Sequence, residues 1–219
     1  MKRLFALLTA LLLLTGCSQL ETPPEDEDIL FPLEEQADTT EATALPEVFS
    51  LPYLSTQPLN PLACPDGMQQ TVASLLYEGL FAPQPVLCAS YTYDAEALTY
   101  TLTLRPNAVF SDGSPLTAAD VKTTLTAAKA SPRYSERLTD LKSVSGSGST
   151  LTLTLNRANS ALPALLDIPI LKSGTEKQDI PIGTGPYLYD GSSGACLLAS
   201  QNWWQHTAQP VERIMLTET

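Results

Sequence analysis

One histidine, four cysteines and twelve basic residues are few for a chain of 219 residues. Each shortage excludes something. A Ser-His-Asp or Cys-His arrangement would have to use His206, which sits beside Trp203-Trp204 in a polar, turn-like stretch. No GxSxG elbow precedes any serine, so His206 reads as a surface residue. There is no CxxC and no second histidine, so no metal site is expected. No P-loop occurs, and Gly183-Thr184-Gly185 lacks the third glycine and following helix of a dinucleotide fingerprint, so no cofactor is expected. Carboxylate pairs such as Asp94/Glu96 and Glu176/Asp179 lie in polar loops and read as solvated surface. The chain is not expected to be an enzyme. With 12 Lys+Arg against 24 Asp+Glu, it also lacks the basic surface that nucleic acid requires.

The acidity is concentrated. Residues 18–47 hold ten acids and no base, whereas residues 48–219 are only mildly acidic. A hydrophobic fraction of 43% fits a globular body with a sizeable core.

Met1-Lys2-Arg3 is a short basic start, followed by an almost unbroken apolar run from Leu4 to Leu14. A spanning helix needs about 20 apolar residues, so this run has the length of a secretory signal core instead. Leu14-Thr15-Gly16-Cys17 then looks like a lipobox, the cleavage site that precedes a lipidated cysteine in bacteria. Residues 1–16 are therefore expected to be a lipoprotein signal peptide, with a diacylglycerol on Cys17. Two acyl chains suffice for stable anchoring to the outside of the cell membrane. Residues 17–46, rich in acids and proline, cannot bury enough surface to fold. They are expected to form a disordered tether reaching on the order of 30 Å or more.

Beyond Cys17 the cysteines are Cys64, Cys88 and Cys196. An extracytoplasmic location permits a disulfide, and Cys64 with Cys88 is the nearest pair in sequence. Spacing does not choose among the three pairings, and buried thiols are the alternative.

The body from residue 47 alternates short strands and helices, which makes it a mixed α/β (α+β) protein. Val48–Tyr53 reads as a first strand. Gln69–Leu80 places Val72, Leu75, Leu76 and Leu80 on one helical stripe, with Gly79 near the C-cap. Leu98–Leu104 alternates with the period of a half-buried strand. Thr117-Ala118-Ala119-Asp120 resembles a capping box that opens a helix through about Ala130. Further expectations are a short helix over Tyr134–Leu141 and a hairpin of Leu141–Val144 with Leu151–Leu155 across a loose Gly/Ser loop. A short helix at Ala161–Leu166 and strands at Ala195–Ser200 and Val211–Leu216 complete the reading.

Several segments together resemble the family 5 extracellular solute-binding proteins, the peptide- and nickel-binding group that serves ABC importers. They are Leu59-Asn60-Pro61-Leu62 with Leu76-Tyr77-Glu78-Gly79-Leu80; Leu98–Arg105 running into Val109–Val121; Pro181-Ile182-Gly183-Thr184-Gly185-Pro186-Tyr187; and Asn202-Trp203-Trp204 ahead of Val211-Glu212-Arg213-Ile214. The resemblance implies a lipid-anchored component that captures peptides or similar small solutes for ABC permease subunits, without covalent chemistry. It implies that the loop of Cys64, Pro65, Asp66, Gly67, Met68 and Gln69 lines the ligand cleft, where an extended peptide adds as a strand. A disulfide at Cys64 would tie that loop down. It further implies a partial periplasmic-binding-protein-like lobe with an inserted subdomain. On this reading residues 47–219 are the N-terminal part of a longer clamp whose second lobe is missing. The rival reading is a non-transporting surface lipoprotein that uses this part as an interaction module.

Overall fold

The computed structural model describes residues 48–64 and 67–219. The expected signal peptide, the tether and Cys17 lie outside the described residues. The elements run β1 (Phe49–Tyr53), α1 (Met68–Leu76), β2 (Cys88–Asp94), β3 (Thr99–Leu104), α2 (Ala118–Ala130), β4 (Leu141–Ser147), β5 (Thr150–Leu155), β6 (Tyr187–Asp190), β7 (Cys196–Ala199) and β8 (Arg213–Glu218). Single 3-10 turns occupy Glu136–Leu138 and Leu162–Leu165, shorter than the helices expected there.

The strands form two four-stranded sheets, ordered β1-β8-β7-β6 and β2-β3-β5-β4. β1 and β8 pair in parallel, joining the start of the described chain to its end. Every other pairing is antiparallel. The whole second sheet is thus an insertion between β1 and the other strands of the first. That is the inserted subdomain implied by the sequence.

Alternation in the Thr/Leu strands organises the insertion. On β3 and β5, Leu102 faces Leu151 and Tyr100 faces Leu153, while Thr101 faces Thr152 and Thr103 faces Thr150. The apolar partners are buried with Val121, Leu125 and Ala128 of α2, so the sheet's inner face and the helix share one core. Threonine pairs cover the outer face, where β-branched side chains suit a pleated surface.

The β4–β5 turn is tighter than expected, because its carbonyls are used. Gly148 accepts from the Ala118 amide at 2.8 Å and Ser149 from the Leu104 amide at 2.7 Å. β2 escaped the sequence reading for a physical reason. It is an edge strand, mostly exposed, and a bulge between Cys88 and Ser90 breaks its alternation.

α1 buries Gln69, Val72, Ala73 and Leu76, the stripe of a helix lying on the first sheet. It ends at Leu76, four residues before the expected stop, and Tyr77 is extended with φ −133° and ψ 146°. The chain is claimed there by other backbone partners. Gly185 donates to Leu76 O at 3.0 Å, Ile170 to Glu78 O at 2.9 Å, and Phe81 to Leu166 O at 3.2 Å. Gly79 is consequently no helix cap; its backbone lies against Asp167, where a Cβ would sit 2.9 Å from the carbonyl carbon.

Candidate ligand-binding site

The two parallel strands end side by side, with Tyr53 of β1 opposite Glu218 of β8. Ligand sites of α/β proteins gather beyond such carboxyl ends, where the chain leaves the sheet and its polar groups are free to face a solute. Here the chain after β1 folds over the sheet end. Ser55 N donates to the Glu218 carboxylate at 2.9 Å, and Gln57 N donates to Leu54 O at 3.1 Å.

Gln69 of α1 holds this segment from beneath. Its Oε1 accepts from Leu54 N at 2.9 Å, and its Nε2 donates to the carbonyls of Gln57 at 3.0 Å and Leu54 at 3.2 Å. The loop so formed borders an open pocket of about 240 Å³, lined among others by Tyr53, Ser55, Thr56, Gln57, Asp179 and Tyr189. A second depression of about 270 Å³ shares Ile180 and Tyr189 with it and continues along Pro181, Ile182 and Gly183. Together they form an open groove lined by hydroxyl-bearing side chains, backbone and the tyrosines Tyr53, Tyr187 and Tyr189. Burial, followed by the neighbouring Tyr189 and Glu218, pushes the Tyr53 phenol above its ordinary value.

Behind the groove, four motifs far apart in sequence meet. Glu78, from the segment after α1, accepts at Oε2 from Trp204 Nε1 at 2.6 Å and from Thr184 Oγ1 at 2.9 Å. Its Oε1 accepts from Gln205 Nε2 at 3.1 Å. Burial pushes the Glu78 carboxyl up, against the hydrogen bonds from Trp204 and Thr184. Ser111 N donates to Gly183 O at 2.9 Å, and Asp112 pairs with Lys172. Asn60 donates to the carbonyls of Glu176 and Gln178 at 2.8 Å each, fixing the strip that carries Asp179. These motifs build the wall of the groove, and Leu59, Ser111 and Gly183 reach its lining.

The residues expected to line the cleft divide. Gly67 and Met68 are exposed, and Met68 Sδ accepts from Thr219 Oγ1 at 3.7 Å, beside the end of β8. Cys64 and Gln69 are instead buried, and Gln69 is a strut whose amide is used on backbone. Pro65 and Asp66 lie outside the described residues.

No disulfide joins Cys64 to Cys88. Cys64 is packed with the α1 core and Cys88 with the core of the second sheet, so the two thiols belong to different clusters. Cys88 Sγ donates to Ser90 O at 3.2 Å, and burial pushes its thiol up. Of the groove's lining, Tyr53 and Tyr189 were not singled out as site residues in the sequence, and Asp179 read as solvated surface. The usable signal was that Tyr53 closes a strand, a position that faces the site only if that strand has a parallel neighbour.

The profile of bacterial extracellular solute-binding proteins, family 5 (middle), matches residues 82–217. The chain belongs to family 5. A prokaryotic membrane lipoprotein lipid attachment site matches residues 1–18, which with the extracellular family makes this a membrane-anchored extracytoplasmic protein. The glutathione-binding protein GsiB of Salmonella typhi is 34% identical over 148 residues, covering 59% of this chain and 29% of its own length. Among solved structures, the substrate-binding protein CtaP of Listeria monocytogenes has a TM-score of 0.65 at 22% identity, covering 78% of this chain and 40% of its own. The oligopeptide-binding protein AppA of Bacillus subtilis, solved with a nonapeptide, has a TM-score of 0.63 at 19% identity, covering 78% and 40%. Both share the family 5 fold. The chain spans under a third of the length of the curated relative it matches.

Proposed function

We propose that this chain is the lipid-anchored solute-binding component of an ABC importer, capturing peptides or similar small solutes outside the membrane for a permease. The observation that carries this reading is the groove beyond the carboxyl ends of β1 and β8, open to solvent and lined by hydroxyls and backbone of residues 55–59. Such a surface suits hydrogen bonding to an extended peptide backbone. Membership of a solute-binding family and the names of GsiB and AppA support the same reading.

In this organisation residues 1–16 are the signal peptide, Cys17 carries the lipid, residues 17–46 are the tether and residues 47–219 form the binding part. Gly67 and Met68, exposed at the start of α1, remain the ligand-contacting candidates of the cleft loop. Calorimetric titration of the full chain with a mixed tripeptide library is expected to give saturable heat. A flat titration with peptides and with small-solute mixtures would overturn the reading and favour an interaction module instead.

A further inference from the structure

We infer that the connection between β7 and β8 forms a second binding site, which takes the ring of a neutral sugar against the indole of Trp203. Antiparallel neighbours are usually joined by about 2–5 residues, but residues 200–212 separate these two strands. Trp204 accounts for part of that length, since it reaches back to Glu78. The rest folds around a cavity of about 330 Å³, lined among others by Ser200, Gln201, Trp203, His206, Gln209 and Glu212. Ala199 N closes its base by donating to Glu212 O at 2.9 Å. The cavity is larger than either depression of the groove and shares no residue with them. Its volume lies within the range of small-molecule sites.

Trp203 Nε1 is buried and turned towards Glu78, so ring carbons supply its share of the wall. His206 N donates to Trp203 O at 2.9 Å, closing a turn that holds the histidine at φ +54°. Glycine adopts that left-handed conformation without strain. The position keeps instead an imidazole that makes no hydrogen bond among the described residues. The side chains of Gln201 and Glu212 are likewise uncommitted there, and no base forms a salt bridge with Glu212.

The chemistry of the lining selects the ligand class. No lysine or arginine is present, so an anion meets no fixed positive charge. Apart from Trp203 and two alanines every lining side chain is polar, so a purely apolar ligand would leave those groups unpaired. An ammonium group only donates, and leaves the carboxamide donors idle. Sugar hydroxyls both donate and accept, which uses the carboxylate, the carboxamides and the imidazole together. The C–H face of the sugar ring then packs on the indole, whose body is apolar.

Maltose, lactose and chitobiose, titrated singly into the full chain, test this site by calorimetry and tryptophan emission. At least one is expected to give saturable heat and to shift the emission. Glu212→Gln is expected to weaken that binding about tenfold, the loss of one hydrogen bond to a charged acceptor. His206→Gly is expected to weaken it while the thermal midpoint holds, because glycine fits the turn. Both positions are exposed, so neither change threatens the core. Failure of all three sugars to bind, or binding that both variants leave intact, overturns the inference. Displacement of the bound sugar by the mixed tripeptide library would put it in the groove and overturn the second site as well. Either result leaves the solute-binding reading standing, since that reading rests on a different surface.

Discussion

Gly185 and Gly113 are glycines for different reasons, and substitution separates them. A Cβ on Gly185 would lie 2.4 Å from the Leu76 carbonyl carbon and 2.5 Å from Leu75 O, backbone atoms at the end of α1 that cannot move aside. Gly113 has φ +83° with nothing within 4 Å, so only the left-handed conformation is at stake. Gly185→Ala is expected to cost about 3 kcal/mol, and Gly113→Ala about 1–2 kcal/mol, read from urea midpoints.

Two carboxyls give opposite pH dependences. Burial raises Glu78 from 4.5, so its folded form prefers the proton, and stability falls as pH rises from about 4.5 through the raised value. Burial also opposes ionisation of Asp112, but hydrogen bonds from Lys172 and Ser114 outweigh it and hold the carboxyl at about 2. Its stabilisation is present above 3.8 and is lost as pH falls towards about 2. Asp112 is a third exposed, so salt weakens its share. Urea midpoints across the acid-to-neutral range should show Glu78→Gln flattening the upper limb and Asp112→Asn the lower.

Among the elements, α2 shows how a local signal acquires a tertiary task. The expected capping box is present: Asp120 Oδ2 accepts from Thr117 N at 2.8 Å and from Thr117 Oγ1 at 2.6 Å. Its other oxygen accepts from Ser173 N at 2.9 Å, fifty-three residues away. Asp120 is buried, and Asp at this position reaches Ser173 while still closing the cap. Asp120→Ala is expected to cost about 2 kcal/mol and to speed amide exchange at both Thr117 and Ser173. Faster exchange at Thr117 alone would show that the tertiary bond carries no weight.

α1 is the opposite case. Its apolar stripe was legible from spacing, but its end was not, because the partners of Leu76 and Glu78 are the amides of Gly185 and Ile170. A periodic pattern says which face is buried; it does not say where another strand of chain takes over the carbonyls.

At the scale of the whole molecule, the first sheet depends on a pairing between residues 49–53 and 214–218. Deleting residues 48–53 is expected to bare the β8 edge, which an unpaired strand offers to other chains. Light scattering should then report association, while amides of β3 and β5 keep their protection because their partners and the α2 core are untouched. Loss of protection in both sheets would mean that the two cores fold as one unit.

The sequence by itself determined the elements whose signal is local: the alternating strands β3 and β5, the Thr117 cap, the apolar stripe of α1, and the address in the first 18 residues. Each is written in a few neighbouring side chains whose preference holds wherever the chain goes. Motif order carried the family as well, because turn glycines, caps and alternation survive at fixed spacing. Only the tertiary structure decided which residues line the groove. Tyr53 and Asp179 become neighbours when β1 pairs with β8 and Asn60 anchors the strip before Asp179. Gln69, polar and the last residue of the predicted cleft loop, turned inward because three carbonyls at residues 54–58 needed a donor. Such pairings are set by backbone groups, which look alike in every sequence, and by contacts across more than a hundred residues, which no local pattern records.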